Sequence, residues 1–273
     1  MKRVAVLLLT VASAAAWAQP VAKPLEEVPF VVSPDNVTLA MLKLANVGPE
    51  DYVIDLGSGD GRIVIVAAKR FGARGLGVEI APDLVEKSRA GARAAGVESR
   101  AFFREQDLFK TDLSAASVVT MYLLPDVNLA LRPKLLQLRP GTRVVSHDWD
   151  MGEWQPDRTI KVDVPDKPVG LEKSSRIHLW TVPARIEGTW CGSGKAKGAT
   201  LSITQEFQRF RGELARGEER TGFEGRIEGY TARARRLFNL ILEGDRLRFQ
   251  ASDRTYAEYQ RTLFTRARGK ACR

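Results

Sequence analysis

Two textures divide the chain. From Asp51 onward short apolar runs alternate with stretches of helical periodicity, the pattern of a mainly parallel sheet covered on both faces. Tyr52–Ile54, Leu76–Val78, Ala101–Phe103, Ser117–Leu123 and Arg143–His147 read as strands, with Gly61–Phe71, Pro82–Ala95 and Leu129–Leu138 as the helices among them. Pro82 and Pro133 are read into first turns, where a missing N–H costs nothing. Arg158–Val164 and Arg176–Val182 follow as two strands joined by a Pro/Gly-rich loop without a helix. The expected fold is α/β, a Rossmann-like seven-strand sheet. Past Pro183 the runs become short and alternating: Ile186–Trp190, Thr200–Thr204, Phe210–Leu214, Gly225–Tyr230, Leu237–Leu242, Leu247–Phe249 and Tyr259–Phe264. Gly, Glu-Gly-Asp and Ser-Asp turns separate them, which predicts a small antiparallel β meander or barrel.

Ahead of the sheet stand Met-Lys-Arg, an apolar run from Val4 to Ala16, and then Ala16-Trp17-Ala18. A basic start, a short apolar stretch and a small-residue site make an export signal, with cleavage expected after Ala18. The run is about 13 residues, short of the ~20 that span a bilayer, and no later stretch is long and apolar enough. The expected organisation is a signal peptide over 1–18, the α/β domain over 19–184 and a basic β-rich domain over 185–273. The mature protein is expected to be periplasmic or secreted, with no transmembrane segment.

Charge separates the two domains. The formal charge is +9, and residues 186–273 hold 18 basic against 11 acidic side chains, 15 of the basic ones arginine. Once Lys2 and Arg3 leave with the signal, residues 19–185 are neutral, so the domains are expected to face different surroundings. An anionic envelope surface is a candidate partner for the basic domain, and an ordinary solvated arginine surface is the alternative. Two cysteines, Cys191 and Cys272, suggest a disulfide in an exported chain, with two free thiols as the alternative. They lie too far from each other and from the two histidines to form a ligand cluster, so no metal site is expected.

The candidate chemistry follows the first strand, in Asp55-Leu-Gly-Ser-Gly-Asp-Gly-Arg62. A dinucleotide loop is G-x-G-x-x-G, with the pyrophosphate resting on a helix N-terminus. Here the glycines are Gly57, Gly59 and Gly61, with Asp55 ahead of them and Asp60 among them. Carboxylates this close would repel a pyrophosphate strongly in a partly dry cleft, so phosphate is the wrong ligand. S-Adenosylmethionine has an α-ammonium and a sulfonium but no phosphate. The glycines then allow close backbone approach, and Asp55 can receive the ammonium directly or through a water. Glu79, closing the second strand, can accept both ribose hydroxyls, as an acid does in dinucleotide folds too. Asp107 is placed to accept from the adenine amino group, with Leu108 offering its backbone or an apolar wall. Three acids at consecutive strand ends thus line the crevice where open α/β sheets bind ligands.

Asp55-Leu-Gly-Ser-Gly-Asp-Gly61, Gly77-Val-Glu79 and Asp107-Leu108 resemble the successive motifs of class I S-adenosylmethionine-dependent methyltransferases. More narrowly, Val28-Pro-Phe-Val-Val-Ser-Pro34, Met41-Leu42 and Asp60-Gly-Arg-Ile-Val64 resemble the lysine methyltransferases that act on the mitochondrial ATP synthase c-subunit, and their bacterial relatives. More distantly the loop resembles seven-strand histone-lysine methyltransferases. The likeness spans roughly residues 28–150. It implies S-adenosylmethionine as cofactor and methyl transfer to an amine, in a protein lysine or a small molecule. It implies Phe30, Ser33 and Pro34 as lid residues, Ser33 standing where the family usually has threonine. Cofactor contacts are expected from these three and from Asp55, Gly57, Ser58, Gly59, Gly61, Glu79, Asp107 and Leu108.

The fourth strand ends in Met121-Tyr-Leu-Leu-Pro125. Enzymes that methylate planar amide or base nitrogens commonly carry Asn/Asp-Pro-Pro-aromatic there, so the sequence argues against nucleic acid as acceptor. An amine must arrive deprotonated, and alignment is most of what the protein supplies. Tyr122 is a candidate to shape an amine channel, or else a core residue with one wet edge. His147-Asp148 closes the fifth strand at the same rim, as a candidate base or a hydrogen-bonding wall. Asp60 and Arg62 either touch ligand or pair and cap the helix. Two other functions stay open: an exported non-catalytic sensor or scaffold that keeps the adenosyl pocket, and a nicotinamide dehydrogenase.

Overall fold

The computed structural model describes residues 33–167, 172–267 and 272. The predicted signal peptide and Phe30 lie outside the described residues. Helix α1 (Asp35–Leu44) opens the structure, followed by β1 (Tyr52–Leu56), α2 (Arg62–Phe71), β2 (Arg74–Glu79), α3 (Pro82–Ala94) and β3 (Ala101–Glu105). Next come β4 (Val118–Met121), α4 (Pro125–Leu135), β5 (Arg143–His147), β6 (Arg158–Asp163) and β7 (Ser174–Thr181). These seven strands make one sheet in the order β3-β2-β1-β4-β5-β7-β6. The first five run parallel, while β7 is antiparallel to both β5 and β6.

Strand alternation sends β1 side chains to two separate cores. Val53 joins α1 and α2 on one face, with Met41, Ala67, Val145 and Ile177. Ile54 and Leu56 join α4 on the other, with Leu131, Leu135, Trp154 and Trp180. The reversal of strand order between β1 and β4 opens the ligand crevice at the C-terminal strand ends. In the register Asp55 lies between Gly77 of β2 and Thr120 of β4.

Two features differ from the pattern reading. Helix α1 is additional to it, although Val37, Thr38, Met41, Leu42 and Leu44 form a buried stripe. The fourth helix starts at Pro125, not Leu129, so Pro133 sits inside it rather than in its first turn. Pro125 is the first-turn proline, after an extended Leu124 with ψ 152°. Near the helix end Pro133 forfeits one backbone bond, and Leu136 N still donates to Arg132 O.

The rest of the chain is a closed antiparallel barrel of β8 (Gly188–Gly192), β9 (Ala199–Glu206), β10 (Arg209–Arg216), β11 (Glu219–Glu228), β12 (Thr231–Ala234), β13 (Phe238–Glu243), β14 (Arg246–Ala251) and β15 (Leu263–Arg266). Pairing of β15 with β8 closes the ring, which removes free sheet edges. The pattern reading lacks β12, whose inward residues are the small Ala232 and Ala234. It also has a strand over Tyr259–Phe264, where a 3-10 turn through Arg254–Tyr259 precedes β15. A Cys191–Cys272 disulfide joins β8 to the chain end. Several arginines of the barrel wall pair with its carboxylates, as in Arg233–Glu228, Arg235–Glu224, Arg248–Glu243 and Arg216–Glu258.

The barrel packs onto the sheet domain. Phe207 stacks on Trp154 at 6.5 Å, Arg226 pairs with Asp157 at 2.5 Å, and Gln208 Nε2 donates to Gln155 O at 2.6 Å. Ala184 N donates to Gly229 O at 2.8 Å, so the linker itself adds to the contact.

Candidate active site

The glycine loop is built by β1 ending in a run of left-handed turns. Gly57 has φ 72° and Gly61 φ 77°, a region where side chains are strained. A Cβ on Gly57 would lie 2.8 Å from Leu123, and one on Gly61 would lie 2.6 Å from the Phe103 ring. Gly61 therefore serves close packing of α2 against β3 and α3. The loop amides are largely occupied within the protein. Gly57 N and Ser58 N donate to Val78 O at 3.0 and 2.9 Å, Gly61 N donates to Ser58 O at 2.8 Å, and Gly59 N donates to Glu79 Oε2 at 2.9 Å. A phosphate cradle needs such N–H groups aimed at the ligand. What this loop presents instead is acid.

Asp55 is 2% exposed, and its Oδ1 accepts from Thr120 Oγ1 at 2.6 Å. Burial pushes its carboxyl up to about 7, against the Thr120 bond and with help from the nearby Glu79 and Asp60 charges. No cation among the described residues pairs with it. The Ser58 hydroxyl of the same loop is buried without a hydrogen-bond partner. A buried acid and an orphaned hydroxyl in a loop closed to phosphate fit an ammonium-bearing ligand. Asp60 resolves the other way. Burial raises its carboxyl, but the Arg62 hydrogen bonds and charge outweigh that and hold it below the usual range. Arg62 grips it through Nε at 3.0 Å and Nη2 at 2.8 Å, and donates from Nη1 to Ser33 O at 2.8 Å. The pair is thus a brace between the glycine loop and the segment before α1.

Glu79 holds both sides of its turn. Besides Gly59 N, it accepts Ile80 N and Ala81 N on Oε1, at 2.8 and 3.2 Å. A carboxylate has about four acceptor sites, so room for a hydroxyl remains. Asp107 caps its own 3-10 turn, accepting Phe109 N at 2.8 Å, with Lys110 at 3.7 Å. Leu108 packs partly buried against the core beneath β4.

At the β4–β5 rim, Tyr122 is half-buried and stacks on His147, ring centroids 3.8 Å apart. Burial, then the Asp148 charge, pushes the phenol up, so it stays protonated at neutral pH. His147 is 1% exposed, with Nδ1 2.9 Å from Ser33 Oγ and Nε2 2.8 Å from Ser175 Oγ. Burial lowers its pKa to about 4, Asp148 opposing and Lys167 adding to the shift. Both ring nitrogens are engaged, which favours the hydrogen-bonding wall of the two sequence readings and anchors Ser33 on the ring. Asp148 is likewise occupied, by Lys167 Nζ at 2.8 Å and Arg176 N at 2.9 Å. Of the three catalytic candidates His147 is buried, while Tyr122 and Asp148 are half-buried. Ser33 is buried and Pro34 precedes α1. Thr120, Ser175 and Lys167 escape sequence reading because no local motif marks them; Arg62, following Asp60 in the loop, is visible there with its role open.

The family model described as ANTKMT methyltransferase domain matches residues 55–158. A protein-lysine N-methyltransferase of Saccharolobus islandicus is 46% identical over 138 residues, covering 50% of this chain and 86% of that protein. The lysine N-methyltransferase of Mus musculus named for the ATP synthase c-subunit is 42% identical over 108 residues, and the match spans 39% of this chain and 43% of the mouse protein. Among solved structures, an RNA methyltransferase from Salinibacter ruber in complex with S-adenosyl-L-homocysteine is 54% identical, with TM-score 0.51 over 57% of this chain and 96% of that one.

Proposed function

Because the chain belongs to the class I S-adenosylmethionine-dependent methyltransferases, we propose that it methylates the side-chain amine of a protein lysine. The observation that carries this is the 46% identity to a protein-lysine N-methyltransferase across 86% of its length. S-Adenosylmethionine is the cofactor of the family, and the residues here suit it. Asp55 would receive the ammonium, Glu79 the ribose hydroxyls, and Asp107 with Leu108 the adenine end. When bound, the cofactor supplies a methyl carbon to which an amine lone pair forms the N–C bond as the S–C pair returns to sulfur. Tyr122, protonated and backed by the neutral His147, offers a ring face and an oxygen acceptor to the incoming amine. The rim groups are already engaged, His147 by Ser33 and Ser175 and Asp148 by Lys167 and Arg176, so lysine is read as losing its proton before attack, which an apolar approach favours by disfavouring the charged form.

RNA methylation is the second reading, favoured by the 54% identical Salinibacter ruber enzyme and opposed by the Met121-Tyr-Leu-Leu-Pro125 strand end. Export after Ala18 belongs to the proposal and rests on the first 18 residues; an N-terminus of Gln19 on protein from the native host would test it. A role for the basic barrel at an anionic surface rests on its 18-to-11 charge balance, and salt-sensitive binding to anionic vesicles would test that.

The deciding experiment incubates the mature protein with methyl-labelled S-adenosylmethionine and separate host protein and RNA fractions. Label in protein, at lysines heavier by whole methyl groups, is expected. Label confined to RNA would replace the lysine assignment, and cofactor binding with no label in either fraction would favour the sensor or scaffold.

A further inference from the structure

Three large apolar side chains stand exposed in the segments that follow the C-terminal ends of β4 and β5. Leu124 is 38% exposed, Leu129 40% and Trp149 44%. Leu124 lies two residues past Tyr122 and opens α4, Leu129 follows on that helix, and Trp149 lies two residues past His147. The stack of Tyr122 on His147 therefore brings the two segments together.

The segment carrying Trp149 is a built feature. The buried Asn128 of α4 donates from Nδ2 to Trp149 O at 3.2 Å and to Ser146 Oγ at 3.1 Å. Arg132 donates to Met151 O at 2.9 Å and lies over the Phe207 ring of the barrel. Trp154 stacks on that same ring, so the barrel props the far end of the segment. Asn128 thus fixes the backbone of the segment while the Trp149 side chain stands exposed, and exposed apolar side chains mark binding surfaces in which Trp dominates the energetics. Carboxylates predominate around it: Asp126 in the first turn of α4, Asp150 beside Trp149 and Glu153 are exposed, against the half-buried Arg132, which is directed at the Met151 carbonyl and the Phe207 ring. An apolar centre with an acidic rim complements a basic residue set among apolar ones.

We propose that Leu124, Leu129 and Trp149 form the docking surface for the acceptor polypeptide, and that they select a lysine flanked by apolar residues, with Asp126 and Asp150 steering its positive charge. This rests on the lysine methyltransferase reading and narrows its substrate class. The barrel acquires a role as well, as a brace that fixes the segment carrying the anchor.

The test uses the mature protein with S-adenosylhomocysteine and two dye-labelled peptides of equal charge. Each carries one lysine, flanked in one by Leu, Ala and Phe and in the other by Ser and Gln. Fluorescence anisotropy reads binding, and mass spectrometry with S-adenosylmethionine reads methylation in parallel. The apolar peptide should bind at least tenfold more tightly. Trp149→Ala, and separately Leu124→Ser with Leu129→Ser, should remove that margin while cofactor affinity stays within twofold of wild type. Equal binding of the two peptides, or a margin that survives both variants, would overturn the proposal. So would a wild-type dimer that Trp149→Ala dissolves, which would assign the patch to a second copy. A margin without lysine methylation leaves the surface standing and sinks the lysine reading; methylation without a margin does the reverse.

Discussion

Replacing Asp55 by asparagine isolates the electrostatic core of the site. Asparagine is nearly isosteric and its oxygen can still accept from Thr120, so the change removes charge with little loss of packing. In the folded protein the Asp55 carboxyl is pushed from 3.8 to about 7, chiefly by burial. A raised folded pKa means that the folded state binds more protons than the unfolded one between these values. Stability from this group is therefore full below about pH 4 and falls as pH rises through about 7. Three pH units correspond to an upper limit of about 4 kcal/mol, which water penetration would reduce. Asp55→Asn should then raise the melting temperature of ligand-free protein at pH 7.5 by several degrees and leave it unchanged near pH 4. Binding of the cofactor ammonium reverses the balance, because it requires the charged carboxylate. Wild-type affinity for S-adenosylmethionine should strengthen roughly 50-fold from pH 5 to pH 7, with proton release on binding near neutrality. The asparagine variant should lose that slope and bind roughly 10- to 100-fold more weakly at pH 7, the loss of a charged hydrogen bond. Calorimetry in buffers of different ionisation enthalpy reads affinity and proton release together. A flat wild-type profile, or an Asp55→Asn variant that binds as tightly as wild type, would refute the reasoning.

Glu79→Ala strands the amides of Gly59, Ile80 and Ala81, so cofactor affinity should fall roughly 10- to 100-fold and the melting temperature should drop, by about 1–3 kcal/mol of stability. Glu79→Gln, keeping one acceptor oxygen, should lose less of both. His147 stays neutral down to about pH 4, so at saturating S-adenosylmethionine, where the Asp55 titration drops out, the pH profile of methyl transfer should rise with pH as the amine deprotonates, with no inflection near 6.5. Its depressed folded pKa also predicts stability that is full above pH 6.5 and lost as pH falls towards 4; His147→Phe, measured by thermal melts, should abolish that acid sensitivity while lowering stability by stranding Ser33 and Ser175. Removing the disulfide with Cys191→Ser and Cys272→Ser opens a loop of 81 residues and should cost about 4 kcal/mol, seen as barrel unfolding at lower denaturant concentration.

The legible parts are those with local physics behind them. The parallel strands show as short apolar runs, and the acidic ends of β1 and β2 and the Asp107 turn after β3 fall at countable positions. The barrel is announced by its turns, except at β12, where inward alanines carry too little hydrophobic contrast to show alternation. Helix α1 has a readable stripe, but it is short and stands directly behind a proline-rich segment whose motif suggests a loop. Partnerships across the fold are beyond local reading. Nothing near His147 in sequence says that Ser33 and Ser175, 114 and 28 residues away, occupy its two nitrogens. Asp107 shows the opposite case: its cap on Phe109 is local, and the Asp-Leu-Phe-Lys spacing is open to that reading.

The glycine loop, with its amides engaged within the protein and a buried Asp55 that no cation among the described residues pairs with, suits a cationic amino-acid nucleoside and not a phosphate. Calorimetric titration of the mature protein with S-adenosylmethionine, S-adenosylhomocysteine, NAD and ATP tests this most directly. Micromolar binding of the first two, with no binding of NAD or ATP, is predicted. Binding of NAD or ATP at comparable affinity, or displacement of S-adenosylhomocysteine by either, would contradict it.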